Sequence, residues 1–361
     1  MKLYFKPLVI GDLIAKIPIV QGGMGVGVSG VGLATAVANE GGIGVLSAAA
    51  VGFKEKDFVT NNTEANIRAL IKDIQSAKER SKGIIGLNIM VALSNFADMA
   101  KTAIKEKIDI IFAGAGLPLN LPSFLQEGDK TKLVPIVSSR RALNIIAKKW
   151  YRNYNYIPDA VVVEGPKAGG HLGFSYEQLS DPAYSLENIL VDVVEEAKLL
   201  EEKYGKTIPV IAGGGVYDGK DIRRIIDLGA ASVQMATRFV ATKECDASDE
   251  FKQLYLNSTK EQITIIKSPV GMPGRAIRND FISAVEAGEK VPFRCPVHCI
   301  TQCDYKSSPY CIALALISAQ KGNMRNGFAF AGENAYRIDK ITTVKDLMTS
   351  LTKDYNNTFV E

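Results

Sequence analysis

His171 stands at a position in this chain where it could transfer protons. The sequence of 361 residues contains only two histidines, and this one follows Gly169 and Gly170 in the segment VEGPKAGGHLG, directly after an apolar run. Histidine has an unperturbed pKa of about 6.5, so it can take or give a proton near neutral pH. We therefore interpret His171 as a candidate catalytic residue. The alternative is a loop histidine that caps the next helix.

Glycine and polar residues follow several other apolar runs in the same way. They occur in QGGMG (21–25), at Asn88, in GGG (213–215) and in QMAT (234–237). Such glycines either make tight turns or let a flat ligand approach the backbone closely. No GK[ST] follows the glycines, so a Walker phosphate loop is not indicated, and no dinucleotide fingerprint is convincing.

A cysteine cluster near the C-terminus is a second candidate site. The segment CPVHCITQCDYKSSPYC contains four cysteines, spaced C-x3-C-x3-C-x7-C, with His298 between the first two. Four cysteines within seventeen residues could bind a zinc ion or an iron–sulfur cluster, or they could pack as unpaired thiols. The candidate ligands are Cys295, Cys299, Cys303 and Cys311. The fifth cysteine, Cys245, stands alone, and we expect it only to pack.

Eight short apolar runs would position the first group of residues. Each is rich in Val and Ile and nearly continuous in apolarity, as is typical of parallel strands buried on both faces. The runs span residues 17–24, 42–48, 84–91, 108–116, 133–139, 160–165, 207–215 and 231–237. Eight strands alternating with helices predict an α/β fold, a TIM (β/α)8 barrel, and a doubly wound open sheet is the alternative.

Helices are predicted between the runs, and a different pattern follows the last run. Residues 185–205 begin with a Ser cap and end at Gly205, and residues 63–81 and 218–230 also have helical spacing. We expect a barrel over 1–245, a lid subdomain rich in Pro, Gly and Cys over 246–330, and a closing segment over 331–361 with a helix that returns to the barrel.

Composition excludes several classes of function. The formal net charge is +4 and no basic stripe is interleaved with aromatic residues, so nucleic acid is not an expected partner. The chain has no run of eighteen apolar residues and no signal-peptide pattern in its first twenty residues, so we expect no membrane association. An odd number of cysteines in a chain of this size indicates a reducing cytoplasm.

A barrel would bring the polar ends of the strands together at its carboxyl face. The loops after the seventh and eighth strands commonly form a phosphate site there. Thr237 would add a hydroxyl donor. FMN fits this arrangement, with its phosphate at those two loops and its ring over the mouth of the barrel.

Six segments together resemble the FMN-dependent nitronate monooxygenase family, formerly called 2-nitropropane dioxygenases. The same superfamily includes the type II enoyl-acyl-carrier-protein reductases. The resemblance covers roughly residues 15–285 with the segments in the family's order. They are PIVQGGMG, GLNIMV, EGPKAGGHLG, PVIAGGGVYDG, VQMATRF and GRAIRN.

The resemblance implies a role for individual residues. His171 matches the active-site histidine of the family. The positions that match flavin-binding residues are Gln21, Gly22, Gly23 and Met24 beside the ring, Asn88, Glu164, Gly169 and Gly170 as further contacts, and Gly214, Gly215, Gln234, Met235, Ala236 and Thr237 at the phosphate.

Two activities are implied, and the sequence leaves both open. The first is oxidation of alkyl nitronates by oxygen to a carbonyl compound and nitrite, with His171 as base or anion holder. The second is reduction of an enoyl thioester with NAD(P)H as donor. For this one, an acyl carrier protein would need a basic rim, which Arg275, Arg278, Lys321 and Arg325 could supply. A flavin or metal redox sensor is a third class, and a homodimer is also open.

Overall fold

The computed structural model describes residues 5–290 and 295–359. Residues 1–4 lie outside the described residues; they belong to the predicted barrel and to the segment tested for a signal peptide. Residues 291–294 of the predicted lid and residues 360–361 of the closing segment also lie outside the described residues. The described strands are β1 (Leu8–Ile10), β2 (Leu13–Ala15), β3 (Ile19–Gln21), β4 (Ile43–Ser47), β5 (Ile84–Met90), β6 (Ile110–Gly114), β7 (Lys132–Val137), β8 (Val161–Glu164), β9 (Gly170–His171), β10 (Val210–Gly213), β11 (Ser232–Met235), β12 (Ile263–Lys267) and β13 (Pro273–Ile277).

Eight of these strands form a closed parallel barrel. Their order around the barrel is β10-β11-β3-β4-β5-β6-β7-β8, and β8 pairs with β10 to close it. Each of the eight apolar runs contains one barrel strand. The prediction of a TIM barrel is confirmed, and the doubly wound open sheet is wrong.

The interior of the barrel is filled by branched and aromatic side chains. Val45, Phe112 and Val162 belong to one buried cluster, which also contains Leu8 and Ile10 from the N-terminal hairpin of β1 and β2. Packing of this kind makes the barrel a solid core rather than a pore. Because the hairpin packs on this core, the polar strand ends at the opposite face remain free for a site.

The helices surround the barrel and extend into the C-terminal part. The described ones are α1 (Val31–Asn39), α2 (Asn62–Arg80), α3 (Phe96–Lys105), α4 (Arg140–Tyr154), α5 (Leu186–Tyr204), α6 (Gly219–Asp227), α7 (Thr237–Val240), α8 (Asp249–Leu256), α9 (Asp280–Glu286), α10 (Ile312–Gln320) and α11 (Val344–Asn357). Short 3-10 turns lie at Leu121–Phe124, Glu177–Leu179, Pro182–Tyr184, Lys260–Gln262, Met324–Asn326 and Ala335–Arg337. Among the described helices, none is both long and apolar enough to cross a membrane.

The ends of α5 show how closely local signals determine a helix. The Ser185 hydroxyl accepts a hydrogen bond from the Asn188 N–H, and Gly205 ends the helix in the left-handed conformation with φ of 68°. A serine cap and a glycine stop satisfy backbone groups that helix ends leave unpaired. Both predicted ends of this helix are confirmed.

A small antiparallel sheet joins the C-terminal part to the barrel. Its order is β12-β13-β9, and β9 is the two-residue strand in the loop after β8. Gly274 pairs with His171, and Arg275 pairs with Gly170. The helix α11 packs against α6 and α1. The lid limits at residues 246 and 330 stay a prediction, because this sheet contains residues from both parts.

Candidate active site

A cavity of about 280 Å³ opens at the carboxyl end of the barrel strands. Side chains from the C-terminal part of the chain also line it, among them Leu316, Phe330 and Tyr255. The sequence-predicted residues that line it are Gly22, Gly23, Met24, Asn88, Glu164, Gly169, Gly170, His171, Gly214, Gly215, Gln234, Met235, Ala236 and Thr237. The fold thus brings these residues together although they span more than two hundred positions of the chain.

Gln21 differs from the other predicted residues. Its side chain is fully buried beneath the loop and does not line the cavity. The amide nitrogen donates to the Ser29 hydroxyl at 2.9 Å, and the amide oxygen accepts from the Val45 N–H at 3.0 Å. Gln21 therefore positions the QGGMG loop instead of facing a ligand.

His171 is held between the barrel and the lid. Its Nε2 shares a hydrogen bond with the Ser268 hydroxyl at 2.7 Å, and its ring meets the edge of Phe330 at a centroid distance of 5.0 Å. Burial lowers the pKa of His171 to about 4, so the imidazole is neutral at neutral pH. The helix-capping alternative does not apply, since the next helical turn begins at Glu177.

Sequence reasoning missed Ser268 and Phe330. Ser268 precedes the Pro- and Gly-rich segment PVGMPG, and Phe330 lies sixty-two positions later in a segment without periodicity. The signal for Ser268 was its place at the start of that segment, within the predicted lid. Its contact with His171 depends on the pairing of β13 with β9, which no local pattern reveals.

Glu164 provides a second unusual group in the cavity. It ends β8, and in the described residues its carboxyl group has no hydrogen-bond partner. Burial raises the pKa of Glu164 to about 7, because removal from water disfavours the charged carboxylate. Near pH 6 the cavity therefore contains a neutral imidazole and a carboxyl group that is mostly protonated.

Three further polar side chains face the cavity without a partner. Among the described residues, none forms a hydrogen bond with the side chains of Ser47, Asn88 or Gln234. Amide groups both donate and accept, and buried polar groups are rarely left unpaired in folded proteins. This set of donors and acceptors fits a flat heterocycle with ring nitrogens and carbonyl oxygens, such as a flavin.

The glycines in this cavity do two different things. A Cβ on Gly23 would lie 2.2 Å from Cβ of Asn88, and one on Gly169 would lie 2.5 Å from the Ala331 backbone. These glycines let neighbouring loops pack closely. At Gly170 the Cβ position is open, but φ is +83°, a conformation that L side chains rarely adopt. Close loop packing thus accounts for glycines that the sequence had assigned to approach of a ligand.

The arginines expected at a basic rim are engaged elsewhere. Arg275 is buried and its guanidinium donates to the carbonyls of Pro166 and of Ala168, the latter at 2.9 Å. Arg278 forms a salt bridge with Glu286. Of the four residues proposed for the rim, Arg275 is therefore not available to a partner, and Arg278 is already paired at the surface. Arg275 instead ties the lid strand β13 to the loop after β8.

The four clustered cysteines line a separate cavity of about 240 Å³. All five cysteines are free, and Cys245 is buried apart from the cluster in an apolar core, as expected. Among the described residues, no group of three or more His, Cys, Asp or Glu side chains is arranged to hold a metal ion. Neither the expected zinc ion nor the expected iron–sulfur cluster is therefore shown by this arrangement.

Comparison with known proteins agrees with this arrangement. The family profile described as nitronate monooxygenase matches residues 7–354. A dehydrogenase of Mycobacterium tuberculosis, named for (3aS,4S,5R,7aS)-5-hydroxy-7a-methyl-1-oxo-octahydro-1H-indene-4-carboxyl-CoA, is 27% identical over 76% of this chain. The chain spans 66% of that relative, slightly less than two thirds of its length.

Two further similar proteins carry different names. A probable nitronate monooxygenase of Staphylococcus haemolyticus is 26% identical, with 77% of this chain and 80% of that protein covered. The structure of FabK from Thermotoga maritima matches with a TM-score of 0.72 and 25% identity, covering 96% of this chain and 94% of that chain. The profile match includes all eight barrel strands and the residues around the cavity. The chain belongs to the nitronate monooxygenase family.

Proposed function

We propose that the protein is an FMN-dependent oxidoreductase that oxidises small alkyl nitronates with oxygen to a carbonyl compound and nitrite. The observation that carries this proposal is the small cavity at the carboxyl end of the barrel. In it, a neutral His171 lies near polar side chains that have no hydrogen-bond partner among the described residues and could pair with a flavin. The cavity lies at the lower end of the size range of ligand pockets, so its size favours a small substrate. Membership of the family supports the same reaction class.

The cofactor would be held by three groups of residues. The loops at 213–215 and 235–237 would bind the phosphate, and Asn88, Gln234 and Glu164 would pair with the heterocycle. A protonated Glu164 can donate a hydrogen bond to a ring nitrogen or carbonyl that a carboxylate would repel. When bound, FMN would supply the electron-accepting chemistry.

His171 would handle the charge and the proton of the substrate. A nitronate is an anion, and a negative charge beside an imidazole favours its protonated form. Binding of a nitronate would therefore raise the pKa of His171 from its low value and draw in a proton. The hydrogen bond between Nε2 and Ser268 would keep the ring in position while this occurs. Given a neutral nitroalkane, the same ring would act as a weak base.

Reduction of an enoyl thioester with NAD(P)H is a second candidate. Two observations favour it: the Glu164-Gly165 pair, which resembles the carrier-protein reductases, and the structural likeness to FabK. Arg275 and Arg278 pair with groups of their own chain. Fewer basic side chains are therefore left to dock an acidic carrier protein. A thioester of a carrier smaller than a protein would not need a basic rim for docking.

An anaerobic reduction experiment separates the two candidates. The purified protein is kept free of oxygen, and the flavin absorbance is followed after addition of propyl nitronate or of NADH and NADPH. Bleaching by nitronate, with little response to the nicotinamides, supports the proposal. Rapid bleaching by a nicotinamide and none by nitronate would overturn it in favour of the reductase.

We also propose a cytoplasmic location. The support is chemical, because all five cysteines are free in a chain whose described core does not depend on disulfides.

A further inference from the structure

The cysteine cavity is a second built site, separate from the active site. Cys295, Cys299, Cys303 and Cys311 all face the same space, together with His298 and Tyr305. Cys295 is buried, and the other three are partly buried. The four thiols converge on this space without forming disulfides.

The turn after Cys295 directs a backbone N–H group at the sulfur of that cysteine. The backbone N–H of His298 donates to Sγ of Cys295 at 3.2 Å. His298 adopts φ of 49°, which is uncommon for a residue other than glycine. Strained residues of this kind concentrate at functional sites. Hydrogen bonds from backbone amides to sulfur also tune metal–thiolate centres.

The segment from Cys295 to Cys311 has little regular structure of its own. It contains no named helix or strand, and it is docked on the loop after β5 by backbone hydrogen bonds. The Ser94 N–H donates to the Cys299 carbonyl, and the Thr301 N–H donates to the Ala92 carbonyl, both at 3.0 Å. An irregular segment that presents four thiols to one space is typical of protein regions whose fold depends on a bound metal centre.

The size of the cavity between the thiols bears on the kind of centre that they could bind. A zinc ion binds each thiolate sulfur at about 2.3 Å, so its four ligands would lie close around one point. In the described residues no three candidate ligands are arranged around a single ion, and the cysteines instead surround a cavity of about 240 Å³. Such a space suits a group with several metal atoms, and four cysteine thiolates are the usual ligands of iron–sulfur clusters.

We propose that Cys295, Cys299, Cys303 and Cys311 bind an iron–sulfur cluster. The cluster stabilises the irregular segment against the loop after β5, whose strand carries Asn88. It also fixes the start of α10, which begins directly after Cys311 and places Leu316 in the wall of the active-site cavity. The five residues from Cys311 to Leu316 correspond to about 7.5 Å of helix rise, so the centre lies close to the active site.

The test measures iron and sulfide in the protein purified without oxygen or chelators. Iron, acid-labile sulfide and zinc are determined per chain for the wild type, Cys299→Ser, Cys311→Ser and the control Cys245→Ser. We expect equal amounts of iron and sulfide in the wild type and in Cys245→Ser, and loss of both in the two cluster variants. Circular dichroism checks that each variant keeps its helices and strands.

Three results would overturn the proposal. One is zinc without sulfide in the wild type. Another is a wild type that holds neither metal nor sulfide, even after anaerobic reconstitution with ferrous iron and sulfide. The third is a folded Cys299→Ser or Cys311→Ser protein that binds as much iron and sulfide as Cys245→Ser. If the cluster variants do not fold, the wild-type iron, sulfide and zinc content decides.

Discussion

The two cavities of this molecule are built in different ways. The active-site cavity takes Asn88, Glu164 and Gln234 from barrel strands or their ends, whose positions are fixed by the parallel ladder. The cysteine cavity takes its residues from a segment between 295 and 311 without helix or strand. A site on regular elements is held in place before any ligand arrives. Under our proposal, the cysteine site depends far more on the cluster that it binds.

The largest difference that we expect is between variants of the two histidines, because each histidine lies in one of the two cavities. His171→Asn should lower kcat/KM for nitronate by about 10–150-fold, because it removes the charge-assisted hydrogen bond to the anion, which is worth about 1.5–3 kcal/mol. His298→Asn is the matched control and should keep nearly full turnover. Steady-state kinetics with propyl nitronate measures both. Equal losses in the two variants would contradict the division between the cavities.

A pair of glycines tests whether the active-site loops are held by packing. In Gly23→Ala the new methyl group would collide with the Asn88 side chain, whereas Gly271 has open space and only an unfavourable φ of +82°. We expect Gly23→Ala to lower the free energy of unfolding by about 2–3 kcal/mol and to weaken flavin binding. Gly271→Ala should cost about 1 kcal/mol through backbone strain alone.

Denaturant unfolding and flavin content measure this difference. If the two alanine variants retained the same flavin and the same stability, close packing of the QGGMG loop would not be what positions Asn88.

The lid arginines distinguish a buried anchor from a surface pair. Arg275→Ala leaves the Pro166 and Ala168 carbonyls without their donor and should destabilise the protein by about 2 kcal/mol. Arg278→Ala removes a partly exposed ion pair with Glu286, which is worth about 0–1 kcal/mol. Thermal unfolding of both variants checks the order. A larger loss in Arg278→Ala would show that the anchor is assigned to the wrong residue.

Much of the barrel could be predicted because its signals are local. Continuous Val- and Ile-rich runs identified all eight strands, and Ser185 and Gly205 identified both ends of α5. Since parallel strand ends must meet at one face of a barrel, residues as far apart as Gly22 and Thr237 could be assigned to one cavity before the fold was known.

The rest depended on contacts between distant parts of the chain. Ser268 reaches His171 only because the lid strand β13 pairs with the loop after β8. Gln21 lies in the same QGGMG segment as Gly22, which lines the cavity. The Gln21 side chain nevertheless points away from the cavity and donates to Ser29. Side-chain direction at a strand end and the docking of an irregular lid are set by tertiary packing, so no periodicity reveals them.

In the wild type the net effect of pH on stability from His171 and Glu164 should be small, because the two groups oppose each other. The low pKa of His171, about 4, means that unfolding takes up a proton between about pH 4 and 6.5, so this group makes the folded state more stable as pH rises. The raised pKa of Glu164, about 7, means that unfolding releases a proton between about pH 4.5 and 7, so this group makes it less stable as pH rises.

Single variants should reveal the two slopes in the ligand-free protein. Glu164→Gln leaves only the histidine effect, and its stability should rise between pH 4.5 and 6.5 relative to the wild type. His171→Asn leaves only the carboxyl effect, and its stability should fall over the same range. Urea unfolding at several pH values measures both slopes. Parallel curves for the two variants would contradict the assigned shifts.

The most direct test of the account is the identity and amount of flavin in the purified protein. The flavin is released by denaturation, separated by chromatography and compared with the protein concentration, for the wild type and for Gly23→Ala. We predict FMN in about one copy per wild-type chain and a clear loss in Gly23→Ala, as expected for one enclosed cofactor site per barrel. A wild type that carries no FMN and does not bind it when it is added would contradict the account.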